Sequence, residues 1–128
     1  MKKYLGVDWG KKRIGLSLAD SETKIATPFG VIDSVSGLFQ VAKNEGVDFL
    51  VVGSPIKLAG ENNNPDFEKF LKIIKDRATD LGLKIFLIDE RLSSVYADSL
   101  RDRESKTKQD RDAVSAMIIL QSYLDIKA

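Results

Sequence analysis

Asp8 lies within Tyr4–Trp9, a short apolar run that otherwise reads as core strand. A carboxylate there is costly unless it is paired or holds a cation. The alternative is a solvent-facing strand end or a turn cap. A second acidic pair, Asp89 and Glu90, follows directly on the apolar run Ile85–Ile88 and is itself followed by Arg91. Ligand sites in parallel α/β sheets gather beyond the carboxyl ends of strands. Alternation puts Asp89 and Glu90 on opposite faces, so only one of them can share a pocket with Asp8. A third acidic group, Asp110 and Asp112, sits at the start of a helical pattern, where an Asp is often only a cap. Asp112 shares a helix face with Ala116 and Ile119.

The chain has no histidine and no cysteine. Ser-His-Asp and Cys-His catalysis, thiolate metal sites and disulfides are thereby excluded. Carboxylates converging without histidine suit a hard cation such as Mg2+ or Mn2+, which prefers oxygen ligands. Two such ions roughly 4 Å apart can clamp the attacking and leaving oxygens of a phosphodiester. A glycosidase would also use two carboxylates, but it needs a larger sugar cleft than this chain readily builds. Lys11, Lys12 and Arg13 flank the Asp8 strand end, and Arg91 follows Glu90. They are candidate contacts for backbone phosphates, or members of an ordinary charged turn. Trp9 is a base-stacking candidate or a packing residue; Tyr96 and Tyr123 read as packing residues. Lys106 and Lys108 are diluted by acidic neighbours.

Several elements must position these groups. Tyr4–Trp9 and the alternating Ile14, Leu16 and Leu18 predict two strands joined by a tight turn. A third strand is expected over Ile25–Ile32, with Pro28 suiting an edge or a bulge. Leu38, Val41 and Ala42 keep helical spacing up to Gly46. Phe49–Val52 reads as a strand covered on both faces, and Gly53–Asn64 as loop without a P-loop pattern. Asn64 and Pro65 open a helix whose stripe is Phe67, Phe70, Leu71, Ile74, Ala78 and Leu81, closed by Gly82. A strand over Ile85–Ile88 follows, then a short helix from Ser93 or Ser94 to Leu100. A charged loop over Arg101–Asp110 is expected before a last helix with core positions Ala113, Met117, Leu120 and Leu124. The order expected is β-β-β-α-β-α-β-α-α.

With 128 residues, 43% of them hydrophobic and 30% charged, the chain reads as a single α/β domain over 1–128 with one core. The net charge of +1 argues neither for nor against nucleic acid. The basic start lacks the long apolar core of a signal peptide, and no run approaches the ~20 residues of a membrane span. A cytoplasmic location with no membrane association is therefore expected.

Four stretches together resemble the YqgF family of Holliday-junction resolvases and nucleases that mature the small-subunit ribosomal RNA precursor. They are Gly6–Gly15 (GVDWGKKRIG), Val51–Gly60 (VVGSPIKLAG), Asp89–Ser94 (DERLSS) and Asp112–Leu124 (DAVSAMIILQSYL). They occur in the family's order and span nearly the whole chain. The resemblance implies an RNase H-like fold with a mixed five-stranded sheet flanked by helices. It implies Asp8, Glu90 and Asp112 as metal-binding catalytic carboxylates with Mg2+ or Mn2+ as cofactor, preferring Glu90 to Asp89 and Asp112 to Asp110. The implied activity is metal-dependent hydrolysis of phosphodiester bonds in pre-16S ribosomal RNA or in branched DNA, by a monomer or weak homodimer. The second stretch departs from the family pattern: Ser54 and Lys57-Leu58-Ala59 stand where members usually carry Leu and an Asn-Met-Asp-like run. Two other readings stand beside this one. The first is a noncatalytic nucleic-acid-binding module of the same fold. The second is an actin- or hexokinase-like nucleotide-binding domain, for which Asp8-Trp9-Gly10 resembles a phosphate loop, although those proteins close two such domains around ATP.

Overall fold

The computed structural model describes residues 1–54, 64–89 and 108–127. Glu90, Arg91, the short helix expected up to Leu100, Tyr96 and Lys106 lie outside those residues. So do positions 55–63 of the expected loop. The elements are β1 (Lys3–Trp9), β2 (Ile14–Asp20), β3 (Thr27–Ile32), α1 (Val35–Glu45), β4 (Phe49–Ser54), α2 (Pro65–Leu81), β5 (Lys84–Asp89) and α3 (Lys108–Lys127). One five-stranded sheet runs β3-β2-β1-β4-β5. β1, β2 and β3 pair antiparallel, whereas β1–β4 and β4–β5 are parallel. The sheet is mixed, as expected.

Local chemistry sets the element ends. Ser34 caps α1 by accepting from the Gly37 amide, and Gly46 ends it in the left-handed region at φ 67°. Asn64 caps α2 by accepting from the Phe67 amide, Pro65 takes the first turn, and Gly82 closes it at φ 74°. Pro28 lies on the edge strand β3, and the β2–β3 register shifts between Leu16 and Ser17, so both the edge and the irregularity anticipated for that proline are present. Several boundaries differ from expectation. β3 starts at Thr27 rather than Ile25, and β4 continues through Ser54. α3 begins at Lys108, inside the run expected to be loop. Lys108–Arg111 contains no apolar residue, so no periodicity announces that first turn.

Alternation sorts each strand onto two faces. Leu5 and Val7 of β1, Ile14 and Leu16 of β2, and Leu50 and Val52 of β4 are buried with Leu38, Phe67, Phe70 and Ile74 of α1 and α2. Trp9 packs on this face too, edge-on to Phe67 at 5.8 Å and tilted against Phe70 at 6.0 Å. It is a half-buried packing residue here. On the opposite face Val51, Ile88 and Tyr4 meet Ile119, Leu120 and Leu124 of α3. Tyr123 stacks on Phe86 at 5.3 Å, and burial pushes its hydroxyl pKa up. Among the described residues no helix is long and apolar enough to cross a membrane.

Candidate active site

Asp8 belongs to the face of β1 that carries Tyr4 and Gly6, the face covered by α3. Its register partner across the antiparallel pair is Gly15 of β2. A Cβ at Gly15 would lie 2.0 Å from the Asp112 carbonyl oxygen and 2.4 Å from its carbon. Strand backbone and helix backbone touch there, an approach that a strand glycine permits. The pairing thus brings Asp8 and Asp112 to the same end of the same sheet face.

The contact is made by Arg13, just before β2, and by Gly15 and Ser17 of β2, at alternate positions. The Arg13 Nε donates to Asp112 Oδ2 at 2.7 Å. Gly15 receives the Asp112 backbone. The buried Ser17 hydroxyl donates to the Ala116 carbonyl at 2.7 Å. On β1, Gly6 repeats the arrangement one strand over: an added Cβ would meet the Ala116 carbonyl oxygen at 2.8 Å and the Leu120 Cβ at 2.8 Å. α3 is therefore seated by small and polar residues at period two along the strand, against one helix face repeating every fourth residue. Ala116 and Ile119, expected to share the Asp112 face, are both buried.

Asp112 lies in the second turn of α3, since the helix begins at Lys108. It is not an N-cap, and Asp110 falls within the first turn instead. Asp89 closes β5 in register with Ser54 of β4. Phe86 and Ile88 face α3, whereas Ile85 packs on the α1–α2 side. Alternation places Asp89 with Ile85, on the face away from Asp8.

The basic residues of the β1–β2 turn separate. Lys11 pairs with Asp66 of α2 at 3.1 Å in an exposed contact. Lys12 is exposed. Arg13 is engaged with Asp112. The turn expected to hold three phosphate contacts holds one arginine committed to a candidate catalytic acid. The signal that could have found it is the Arg13-x-Gly15-x-Ser17 alternation: three small or polar residues at alternate positions point to close backbone approach rather than to apolar packing.

Asp8 and Asp112 offer carboxylate oxygens only, the donor type that Mg2+ and Mn2+ favour. Among the described residues no group of three or more acidic, histidine or cysteine side chains is placed to hold a metal ion. The third carboxylate that the resemblance assigns, Glu90, lies outside them.

Known proteins extend these observations. The sequence pattern described as "RuvX: Holliday junction resolvase" matches residues 2–126. A protein of Karelsulcia muelleri is 36% identical, with 97% of this chain and 99% of that one covered. One of Fusobacterium nucleatum is 34% identical with 99% of each covered, and one of Endomicrobium trichonymphae is 32% identical with 100% and 99% covered. All three bear the name "Putative pre-16S rRNA nuclease". Thermus thermophilus RuvC superposes with a TM-score of 0.66 in its complex with a Holliday junction substrate, at 13% identity, covering 99% of this chain and 96% of that one. A second RuvC structure gives 0.63. The structural likeness establishes the RNase H-like fold. With a family pattern matched from residue 2 to residue 126 and relatives above 30% identity over their whole length, the chain belongs to the RuvX (YqgF) family.

Proposed function

We infer that this chain is a divalent-metal-dependent endonuclease that hydrolyses phosphodiester bonds in structured nucleic acid, with pre-16S ribosomal RNA as its substrate. The observation that carries the reading is the meeting of Asp8 and Asp112 at one end of one sheet face, through the Gly15 contact, in a chain without histidine. The full-length relatives' names favour the RNA precursor over branched DNA.

Asp8, Glu90 and Asp112 are the proposed catalytic and metal-holding carboxylates. The placement of Asp89 on the face away from Asp8 speaks against Asp89 as the third member, and the family resemblance names Glu90. Mg2+ or Mn2+, once bound, supplies Lewis acidity toward the phosphodiester and an acidified water. The protein's own part is to hold the carboxylates in place. Lys11 and Lys12 stand at the mouth of this strand end and suit backbone phosphates; the exposed pair with Asp66 holds Lys11 only weakly. Arg91 completes the proposed phosphate contacts. The functional unit is taken as a single cytoplasmic domain over 1–128.

The test pairs a labelled ribosomal RNA precursor fragment with a labelled four-way DNA junction. Each is incubated with Mn2+, with chelator, and with Asp8→Asn protein. Cleavage of the RNA that requires both Mn2+ and Asp8 is the expected result. Cleavage of the junction alone makes the chain a resolvase. Tight binding of either substrate without any cleavage favours the noncatalytic module.

The gathered acids carry a thermodynamic signature. Carboxylates about 5 Å apart repel by roughly 3 kcal/mol per ionised pair at an effective dielectric near 20. Mn2+ is therefore expected to raise Tm by binding the native state. Asp8→Asn should raise the Tm of the metal-free protein while weakening Mn2+ binding. A melting curve indifferent to both changes rules the clustered-acid site out.

A further inference from the structure

Arg13 is joined to a candidate metal ligand, Asp112, and its setting differs from that of its neighbours. The Arg13–Asp112 contact is 2.7 Å long with side chains 33% and 29% exposed, against 3.1 Å and 75% and 48% for Lys11–Asp66. The first pair is shielded from solvent and salt to a degree that the second is not. Asp112 lies in the second turn of its helix rather than at its N-cap. Its backbone is pressed against Gly15 of β2, two residues after Arg13 in the chain. The segment that fixes where the helix passes also delivers a guanidinium to that carboxylate. A guanidinium stays protonated at any physiological pH.

We propose that Arg13 is a built-in counter-cation for the acidic site: it holds Asp112 in the metal-free protein and thereby sets how tightly a divalent ion binds. This rests on Asp8 and Asp112 belonging to a metal site. It reassigns Arg13 from phosphate contact to partner of a site carboxylate. A tethered single charge offsets the clustered acids before metal arrives, and it opposes the incoming divalent ion afterwards. The metal-free fold is stabilised at the expense of metal affinity.

The experiment measures Mn2+ binding directly, by the electron paramagnetic resonance signal of free Mn2+, and melting temperature with chelator and with saturating Mn2+. The proteins are wild type, Arg13→Gln, Arg13→Lys, Asp112→Asn and the Arg13→Gln/Asp112→Asn double variant. Arg13→Gln should lower Tm in chelator, and the gap should close in Mn2+. Its Mn2+ Kd should tighten roughly tenfold, the size expected for removing one positive charge from a partly screened site. Arg13→Lys, which keeps the charge, should stay near wild type in Kd. In the Asp112→Asn background, Arg13→Gln should add little further loss of Tm. An Arg13→Gln protein equally destabilised with and without Mn2+, one with weakened Mn2+ binding, or one that stays unfolded in Mn2+ makes Arg13 a structural brace and overturns the proposal alone. Wild-type protein that binds no Mn2+ overturns the metal-site reading, and this proposal with it.

Discussion

On the face covered by α1 and α2 the sheet is sealed by large side chains: Leu5, Val7, Leu16, Leu38, Leu50, Phe67 and Ile74 are all essentially buried. On the face covered by α3 the seal near the site is made by backbone and small residues, with Gly6, Gly15 and Ser17 meeting Asp112, Ala116 and Leu120. The first kind of packing is apolar and forgiving in detail, because side chains can shift rotamers to fill space. The second leaves no side chain to adjust. It brings helix backbone directly against strand backbone, and it does so beside the two candidate acids. Stability and positioning thus fall largely on different faces of one sheet.

A large stability effect should come from the apolar face and leave the site alone. Leu38→Ala empties a fully buried position in α1 and should cost about 3 kcal/mol. Denaturant titration measures that loss, and Mn2+ affinity of the folded fraction should be unchanged. A weakened site in this variant would break the division between the faces.

Gly15→Ala should show the reverse pattern. Its cost is expected to be of similar size, about 3 kcal/mol, because the added Cβ meets helix backbone, which has to move. That shift displaces Asp112, so Mn2+ binding and cleavage should fall far more than stability does. Gly30→Ala on β3 is the matched control, since a Cβ there meets nothing within 4 Å; it should be close to neutral in both measurements. Equal behaviour of the two glycine variants would show that the close approach does not position the acid.

The same division explains what was legible in the sequence. The α1–α2 face announces itself through apolar periodicity. The caps at Asn64 and Gly82 mark the ends of α2 because capping is local chemistry, settled within a few residues. The α3 face depends on contacts between distant positions. Arg13 and Asp112 are 99 residues apart, and neither residue type names its partner. That Asp89 lies on the face away from Asp8 follows from the packing of Phe86 and Ile88 against α3 rather than from the strand's own composition. The early start of α3 was hidden because its first turn carries no apolar residue. The resemblance to the YqgF motifs named Asp8 and Asp112 as acids of one site, and the sheet register supplied the geometry that brings them together.

Ser17→Ala probes the positioning face more gently. It removes the buried hydrogen bond from the Ser17 hydroxyl to the Ala116 carbonyl without adding bulk. The loss should be about 1 kcal/mol, part of it from leaving a helix carbonyl without this extra donor. Ala116 is one helical turn beyond Asp112, so a small weakening of Mn2+ binding should accompany the loss. A variant that loses stability with no change at the site would confine the positioning role to Gly15 and Arg13.

The smallest effect is expected to have the opposite sign. Ser54 ends β4 on the apolar face, 3% exposed, and its hydroxyl has no hydrogen-bond partner among the described residues. It stands where members of the family usually carry Leu, so the apolar face has a polar atom at the point where it reaches the site end of the sheet. An unsatisfied buried hydroxyl costs free energy that an alanine methyl does not, because desolvation is not compensated. Ser54→Ala should therefore leave stability unchanged or raise it by up to about 1 kcal/mol, read as the denaturant midpoint. A clear loss would show that the hydroxyl is satisfied in solution. The end of β4 would then belong, like β2, to the part of the sheet where polar contacts rather than volume decide the packing.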